Sequence, residues 1–420
     1  MTFRLRMREI ALLTLLMMAV NASAATRRRH RVHSAASSSA TAKRAAAPRP
    51  AFTTARAAVH RRLATGTSAT LVATTTTHGV IHSRSRYSRR RAIYSPWTEP
   101  TFADSTIGDI TLGEDPVVRK AAVDALGHYN GSIVVVDPQT GRILSMVNQK
   151  LAMTGAFEPC STIKIVVSLA SLSEKIVDPD APMRITRRSS INLTRALAMS
   201  NNAYFAKLGE ELGFDRVHHY AQLFGLGETA GLDLEGEEPG TVVDHPPSDG
   251  LGMMTSFGSG IQLTPLELAS IVATVANGGT MYYLQCPRTA DEVQKFEPKV
   301  KRYLDIANLV PSITPGMMGA VEYGTARRAS FNQAETVLGK TGTCTDETKP
   351  GVHLGWFGSF NELGPRKLVV VVLLTGGRGV SGPIASGIAG QVYRNLDIQK
   401  YFTPDKASIA TPISLLTLGH

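Results

Sequence analysis

The sequence of 420 residues predicts an α/β fold of the α+β kind: an antiparallel sheet flanked by helices, with one all-helical lobe inserted. Three observations carry that expectation. A β-hairpin signal lies near the start of the apolar body, at 132–147. A block of helical signals fills 161–276. Three strand-like runs follow Val337 and end in a closing helix. Strands first, helices in the middle and strands again place the hairpin and the late strands in one sheet, with the helices inserted between them.

Each element has its own signal. Asp115 before Pro116 reads as an N-cap with proline at the first helical position, and Val117, Ala121 and Leu126 supply apolar positions behind it. The apolar run 132–136, the turn Asp137-Pro138-Gln139-Thr140-Gly141 and the run 143–147 make the hairpin. Pro159 ends an extended stretch, and 161–172 reads as an apolar helix. Residues 193–212 read as two helical pieces broken at Ser200-Asn201-Asn202, the second stopped by Gly213. Thr264-Pro265-Leu266-Glu267 is a capping box, and Asn277-Gly278-Gly279 ends the helix it opens. The late strands are expected over 337–344, 353–360 and 367–374, with the closing helix over 384–396.

Charge divides the chain. The formal net charge is +11, but residues 26–95 hold 15 Lys or Arg and no Asp or Glu, while 96–420 is net acidic by six. A basic arm on a mildly acidic body is not a basic folded surface, so no nucleic-acid partner is expected. Arg4, Arg6 and Arg8, the apolar run 10–20 and Ala22-Ser23-Ala24 make 1–25 a signal peptide or a short membrane anchor. Residues 26–100, rich in Ala, Ser, Thr and Arg, read as a disordered linker. Either it is a solvated spacer or it adheres to anionic membrane or wall polymers. The folded domain is expected over 101–405, with a tail over 406–420. Three cysteines, Cys160, Cys286 and Cys344, are too few for a disulfide scaffold or a cysteine zinc site. No metal or cofactor is expected.

Three short motifs carry chemistry: Ser161-Thr162-Ile163-Lys164, Ser200-Asn201-Asn202 and Lys340-Thr341-Gly342-Thr343. Each alone is weak, because a Ser-x-x-Lys can be an ordinary helix start and Ser-Asn-Asn a polar cap. Their joint occurrence in this order is specific. On these motifs the chain resembles the transpeptidase domain of the penicillin-binding proteins, within the serine β-lactamase and D,D-transpeptidase superfamily. The flanks agree over roughly 115–400: the 131–147 hairpin, Phe157-Glu158-Pro159 before Ser161, 262–269 with 276–279 as a long helix, Val321-Glu322-Tyr323-Gly324-Thr325-Ala326, and the 353–360 strand.

The resemblance implies the roles. Ser161 is the nucleophile, at a helix start whose dipole favours developing negative charge. Lys164 is its base, which requires burial and the nearby Lys340 to bring an amine of pKa ~10.4 down toward neutrality. Ser200 relays a proton, and Asn202 holds a substrate amide. Lys340, Thr341, Gly342 and Thr343 receive a substrate carboxylate, and the backbone N–H groups of Ser161 and Thr343 form an oxyanion hole. The implied partners are peptidoglycan stem peptides ending in D-Ala-D-Ala and β-lactam antibiotics, at the outer face of the cytoplasmic membrane or in the periplasm.

Departures keep alternatives open. A D,D-carboxypeptidase would use the same groups. A serine β-lactamase would add a deacylating water. No Glu followed four residues later by Asn occurs between Asn202 and Lys340, as class A enzymes would have. Class D enzymes usually have an apolar residue where Asn202 stands. A β-lactam sensor that acylates without turnover is the third reading. Cys160 replaces the glycine usual before the nucleophile. Cys160 and Cys344 are read as two small buried residues, with a disulfide as the alternative in an oxidising compartment. The interval from Lys164 to Ser200 is short, implying a trimmed helical lobe. Larger relatives carry a glycosyltransferase or pedestal domain where this sequence has the basic linker.

Overall fold

Helix α1 (Pro116–Leu126) starts as its sequence dictates: the Asp115 carboxylate accepts from the N–H groups of Val117 and Val118, with Pro116 in the first turn. The computed structural model describes residues 100–330, 336–346, 349, 351–362, 366–377 and 379–403. The expected leader, basic linker and 406–420 tail lie outside the described residues. Strands β1 (Gly131–Val136) and β2 (Ile143–Val147) form the expected antiparallel hairpin. Gly141 closes its turn at φ +74, donating its N–H to Asp137 O, a conformation that favours glycine.

After α2 (Gln149–Thr154) the chain reaches a 3₁₀ turn, Cys160–Ile163, and then α3 (Lys164–Ser173). The helix expected over 161–172 therefore begins later, and Ser161 stands one turn ahead of it. Residues 164 to 172 are all buried, as befits a helix enclosed on every side. A small hairpin, β3 (Met183–Thr186) with β4 (Ser189–Ile191), occupies the short interval before the second motif. Then α4 (Leu193–Ala198), α5 (Asn202–Leu212) and α6 (Phe214–Leu223) continue the lobe. The break falls at Ser200 as expected, and Gly213 caps α5.

Two-residue strands β5 (Thr241–Val242) and β6 (Ile261–Gln262) pair around α7 (Leu251–Ser256). Helix α8 (Pro265–Ala276) has the complete capping box between Thr264 and Glu267, and all of its residues are buried. Strands β7 (Thr280–Tyr282) and β8 (Val300–Tyr303) pair around α9 (Ala290–Gln294), and α10 (Val310–Glu322) follows with Pro315 inside it. The chain closes through β9 (Val337–Thr345), β10 (His353–Asn361), β11 (Val369–Gly376) and α11 (Gly382–Ile398).

The hairpin and the late strands share one antiparallel sheet in the order β2-β1-β11-β10-β9. The two faces feed separate cores, which is why β1 and β2 are apolar at nearly every position. Val134, Val136, Ile143 and Met146 join the helical lobe. Ile133, Val135, Leu144 and Val147 join α1 and α11. Strand β9 is an edge, and an edge leaves its backbone groups free to meet a ligand. The third motif lies on that edge, facing the lobe that holds the other two.

Candidate active site

The lead-in to Ser161 is fixed by its backbone. Phe157 and Leu263 exchange both N–H···O bonds, at 3.0 and 2.9 Å. The Trp356 indole N–H donates to Glu158 O at 3.0 Å, and Thr162 Oγ1 donates to Pro159 O at 2.7 Å. A Cβ on Gly258 would come within 2.3 Å of Pro159 Cγ, so α7 ends hard against this proline. Ser161 is buried to 8% exposure, and its Oγ lies 3.4 Å from Ser256 O. Cys160, at φ +49, is bonded to Cys344 with the Cα atoms 5.6 Å apart. This corrects the expectation of two separate buried thiols. Left-handed backbone before Ser161 also accounts for the glycine that the resemblance places there.

The second motif divides its labour. Asn201 caps α5, its Oδ1 accepting from Tyr204 N at 2.9 Å. That leaves Ser200, itself at φ +54, and Asn202 to face the site. Lys164 Nζ gathers these groups, lying within hydrogen-bond distance of Ser161 Oγ (2.9 Å), Ser200 Oγ (3.0 Å), Ser200 O (3.1 Å) and Asn202 Oδ1 (2.6 Å). With the Asn202 oxygen on Lys164, its amide NH₂ is directed elsewhere. Phe205 lies under the same amine, 5.4 Å from its ring centre.

From the opposite side, Lys340 Nζ donates to Ser200 Oγ at 2.9 Å and to Thr341 O at 2.9 Å. Register places Gly342 opposite Trp356 on β10 and Thr343 opposite Gly355. The Thr341 hydroxyl is 2.6 Å from that of Thr325. Thr343 Oγ1 accepts the Gly382 N–H at 2.8 Å, so its own hydrogen remains to be donated and the start of α11 is tied to the motif. Every residue nominated from the sequence thus lies in one cluster. Ser256, Thr325 and Gly382 join it without having been nominated as site residues; only Thr325 lay within a quoted flank. A cavity of about 550 Å³ lined by Leu232, Cys286 and Arg288, among others, touches none of the motifs.

Both lysines are fully buried, and burial disfavours an ammonium. It brings Lys164 down to about 7. Lys340 is depressed as well, first by burial and then by the charge of Lys164. The repulsion thus acts on Lys340, whereas burial alone accounts for Lys164. An amine near 7 is half unprotonated at neutral pH, and Ser161 can then donate its proton across the same 2.9 Å contact. No group of three or more His, Cys, Asp or Glu suited to a metal occurs among the described residues.

Comparison with known proteins follows the same lines. The family model described as the penicillin binding protein transpeptidase domain matches residues 131–395. The stage V sporulation protein D of Bacillus subtilis is 28% identical over 326 residues, covering 65% of this chain and 50% of that protein. The peptidoglycan D,D-transpeptidase FtsI of Escherichia coli K12 is 27% identical, covering 64% of this chain and 52% of its own. The chain spans about half the length of these curated relatives. Among solved structures, PBPA from Mycobacterium tuberculosis superposes with a TM-score of 0.58 at 24% identity, covering 68% of this chain and 81% of that one. With the family model matched over more than half of its residues, the chain belongs to the penicillin-binding protein transpeptidase domain family.

Proposed function

We propose that the protein is a peptidoglycan D,D-transpeptidase acting through an acyl-serine at Ser161. The observation that carries this reading is the convergence of Ser161, Ser200 and Asn202 on Lys164 Nζ, all within 3.1 Å, with Lys340 on the far side of Ser200. Neutral Lys164 takes the Ser161 proton as Oγ attacks the carbonyl of the penultimate D-Ala of a stem peptide. The backbone N–H groups of Ser161 and Thr343 receive the oxyanion; losing one such donor typically costs ~2.7–4 kcal/mol. The proton passes through Ser200 to the departing D-Ala amine, and the ester forms on Oγ. An amine of a second stem then attacks the ester, the same groups run in reverse, and a cross-link results. Lys340 and the Thr341–Thr343 strand receive the terminal carboxylate, and the Asn202 amide receives a substrate carbonyl. A β-lactam opens on Ser161 by the same first step and stays.

The proposal extends to placement. Residues 1–25 are taken as an export signal or short anchor, 26–100 as a basic linker and 101–405 as the catalytic domain. The protein then works outside the cytoplasm, in the periplasm or at the outer face of the cytoplasmic membrane. The Cys160–Cys344 disulfide supports an oxidising compartment. The basic linker would place the domain near anionic lipid or wall polymers.

Incubation with a D-Ala-D-Ala pentapeptide and an acceptor amine tests the activity. Transfer product with D-Ala release is expected. Water-only release would make the protein a carboxypeptidase. Penicillin labelling that clears within seconds would make it a β-lactamase, and stable labelling without peptide turnover a sensor.

A further inference from the structure

We propose that the Cys160–Cys344 disulfide positions the nucleophile, holding residue 160 in the left-handed conformation that seats Ser161 against Lys164. The proposal rests on the acyl-serine reading above. Cys160 is fully buried, adjoins Ser161 and lies at φ +49, a region that residues other than glycine seldom occupy. Its sulfur is joined to the residue after Thr343, across 184 positions of sequence. The two segments lie in direct contact, because a Cβ on Gly342 would stand 2.9 Å from Pro159 O and 3.2 Å from Cys160 Cβ. The bond therefore ties the Ser161 turn to the edge strand at the two residues flanking the proposed oxyanion donors. Without it, nothing covalent opposes relaxation of residue 160 toward negative φ, and that rotation would move Ser161 Oγ out of its 2.9 Å contact with Lys164.

The test uses the full chain and a fluorescent penicillin, separating the first-order acylation constant from the preceding binding constant. Wild type is compared with Cys160→Ala/Cys344→Ala and with Cys160→Gly/Cys344→Ala, each with its unfolding temperature. The alanine pair is expected to lose tenfold or more in the acylation constant, with binding changed less than threefold and the protein folded at the assay temperature. The glycine pair is expected to recover to within about threefold of wild type, because glycine takes positive φ freely. Wild type reduced by a phosphine, which is oxidised to its oxide as the disulfide becomes two thiols, is expected to match the alanine pair once the phosphine is removed. That arm decides the matter if the alanine pair does not fold. An alanine pair or reduced protein acylating at the wild-type rate would overturn the proposal, as would a glycine pair no faster than the alanine pair. Wild type that is never labelled defeats the acyl-serine reading itself, a result distinct from any difference among the variants.

Discussion

Lys164 and Lys340 hold the same oxygen: Ser200 Oγ lies 3.0 Å from one amine and 2.9 Å from the other. Two buried ammonium groups meeting at one hydroxyl repel strongly, so their titrations are linked and at least one of them is readily neutral. That arrangement gives the proposed chemistry a base on the Ser161 side and a second buried amine on the strand side, with Ser200 between them.

The first consequence is a pH profile. Lys164 is drawn down to about 7, and only its neutral form accepts the Ser161 proton. The acylation constant should therefore rise with pH through about 7 and level off above 8, being about tenfold below its plateau at pH 6. Labelling time courses from pH 5.5 to 9 read this directly. A flat profile would remove Lys164 as the base.

Removing the shared oxygen should cost chemistry far more than folding. Ser200→Ala is expected to slow acylation by about 10²–10⁴-fold, the usual contribution of a positioned proton-transfer group. Its unfolding temperature should fall by a few degrees, because two buried amines each lose an acceptor, with the variant still folded at the assay temperature. Rapid-quench labelling and a thermal melt are the two measurements. Acylation within threefold of wild type would show that the proton takes another route.

Gly342→Ala should act through a clash. Its Cβ would stand 2.9 Å from Pro159 O and 3.1 Å from Trp356 Cβ, both in rigid surroundings. Overpacking of this kind costs about 1–3 kcal/mol, and here it pushes the edge strand away from the Ser161 turn. Denaturant unfolding should register that loss, with slower acylation alongside it. Unchanged stability would mean that the strand gives way freely.

Thr264→Ala makes the complementary case. Its hydroxyl accepts from Glu267 N at 3.1 Å to complete the capping box of α8. Losing that cap should cost about 1 kcal/mol of stability while leaving the acylation constant of the folded protein within twofold. Equilibrium unfolding and labelling at saturating penicillin separate the two effects. A large loss in acylation of folded protein would place α8 closer to the chemistry than its contacts suggest.

Much of this was legible in the sequence because chemistry and backbone geometry restrict residue type at particular positions. Asp115-Pro116 and Thr264-Glu267 marked helix starts through their side-chain oxygens, and Gly141 marked the hairpin turn through its φ of +74. Ser161, Lys164, Ser200, Asn202 and the Lys340 strand were found through their joint pattern. The remainder was hidden for identifiable reasons. Ser256 enters through a backbone carbonyl, which has no sequence signature. Asn201 and Asn202 are chemically alike, and only the start of α5 assigns one to the cap and the other to Lys164. Helix α10 contains Pro315, which argues against a helix interior from local rules alone. The Cys160–Cys344 bond depended on two segments 184 residues apart meeting across the sheet edge, a matter of tertiary geometry.

The central claim is that Ser161 forms a covalent acyl-enzyme, and mapping the penicillin adduct by mass tests it most directly. Wild type digested after brief exposure should carry one penicilloyl group, on the peptide containing Ser161, and Ser161→Ala should carry none. A folded wild type without an adduct, or an adduct that persists in Ser161→Ala, would contradict the account.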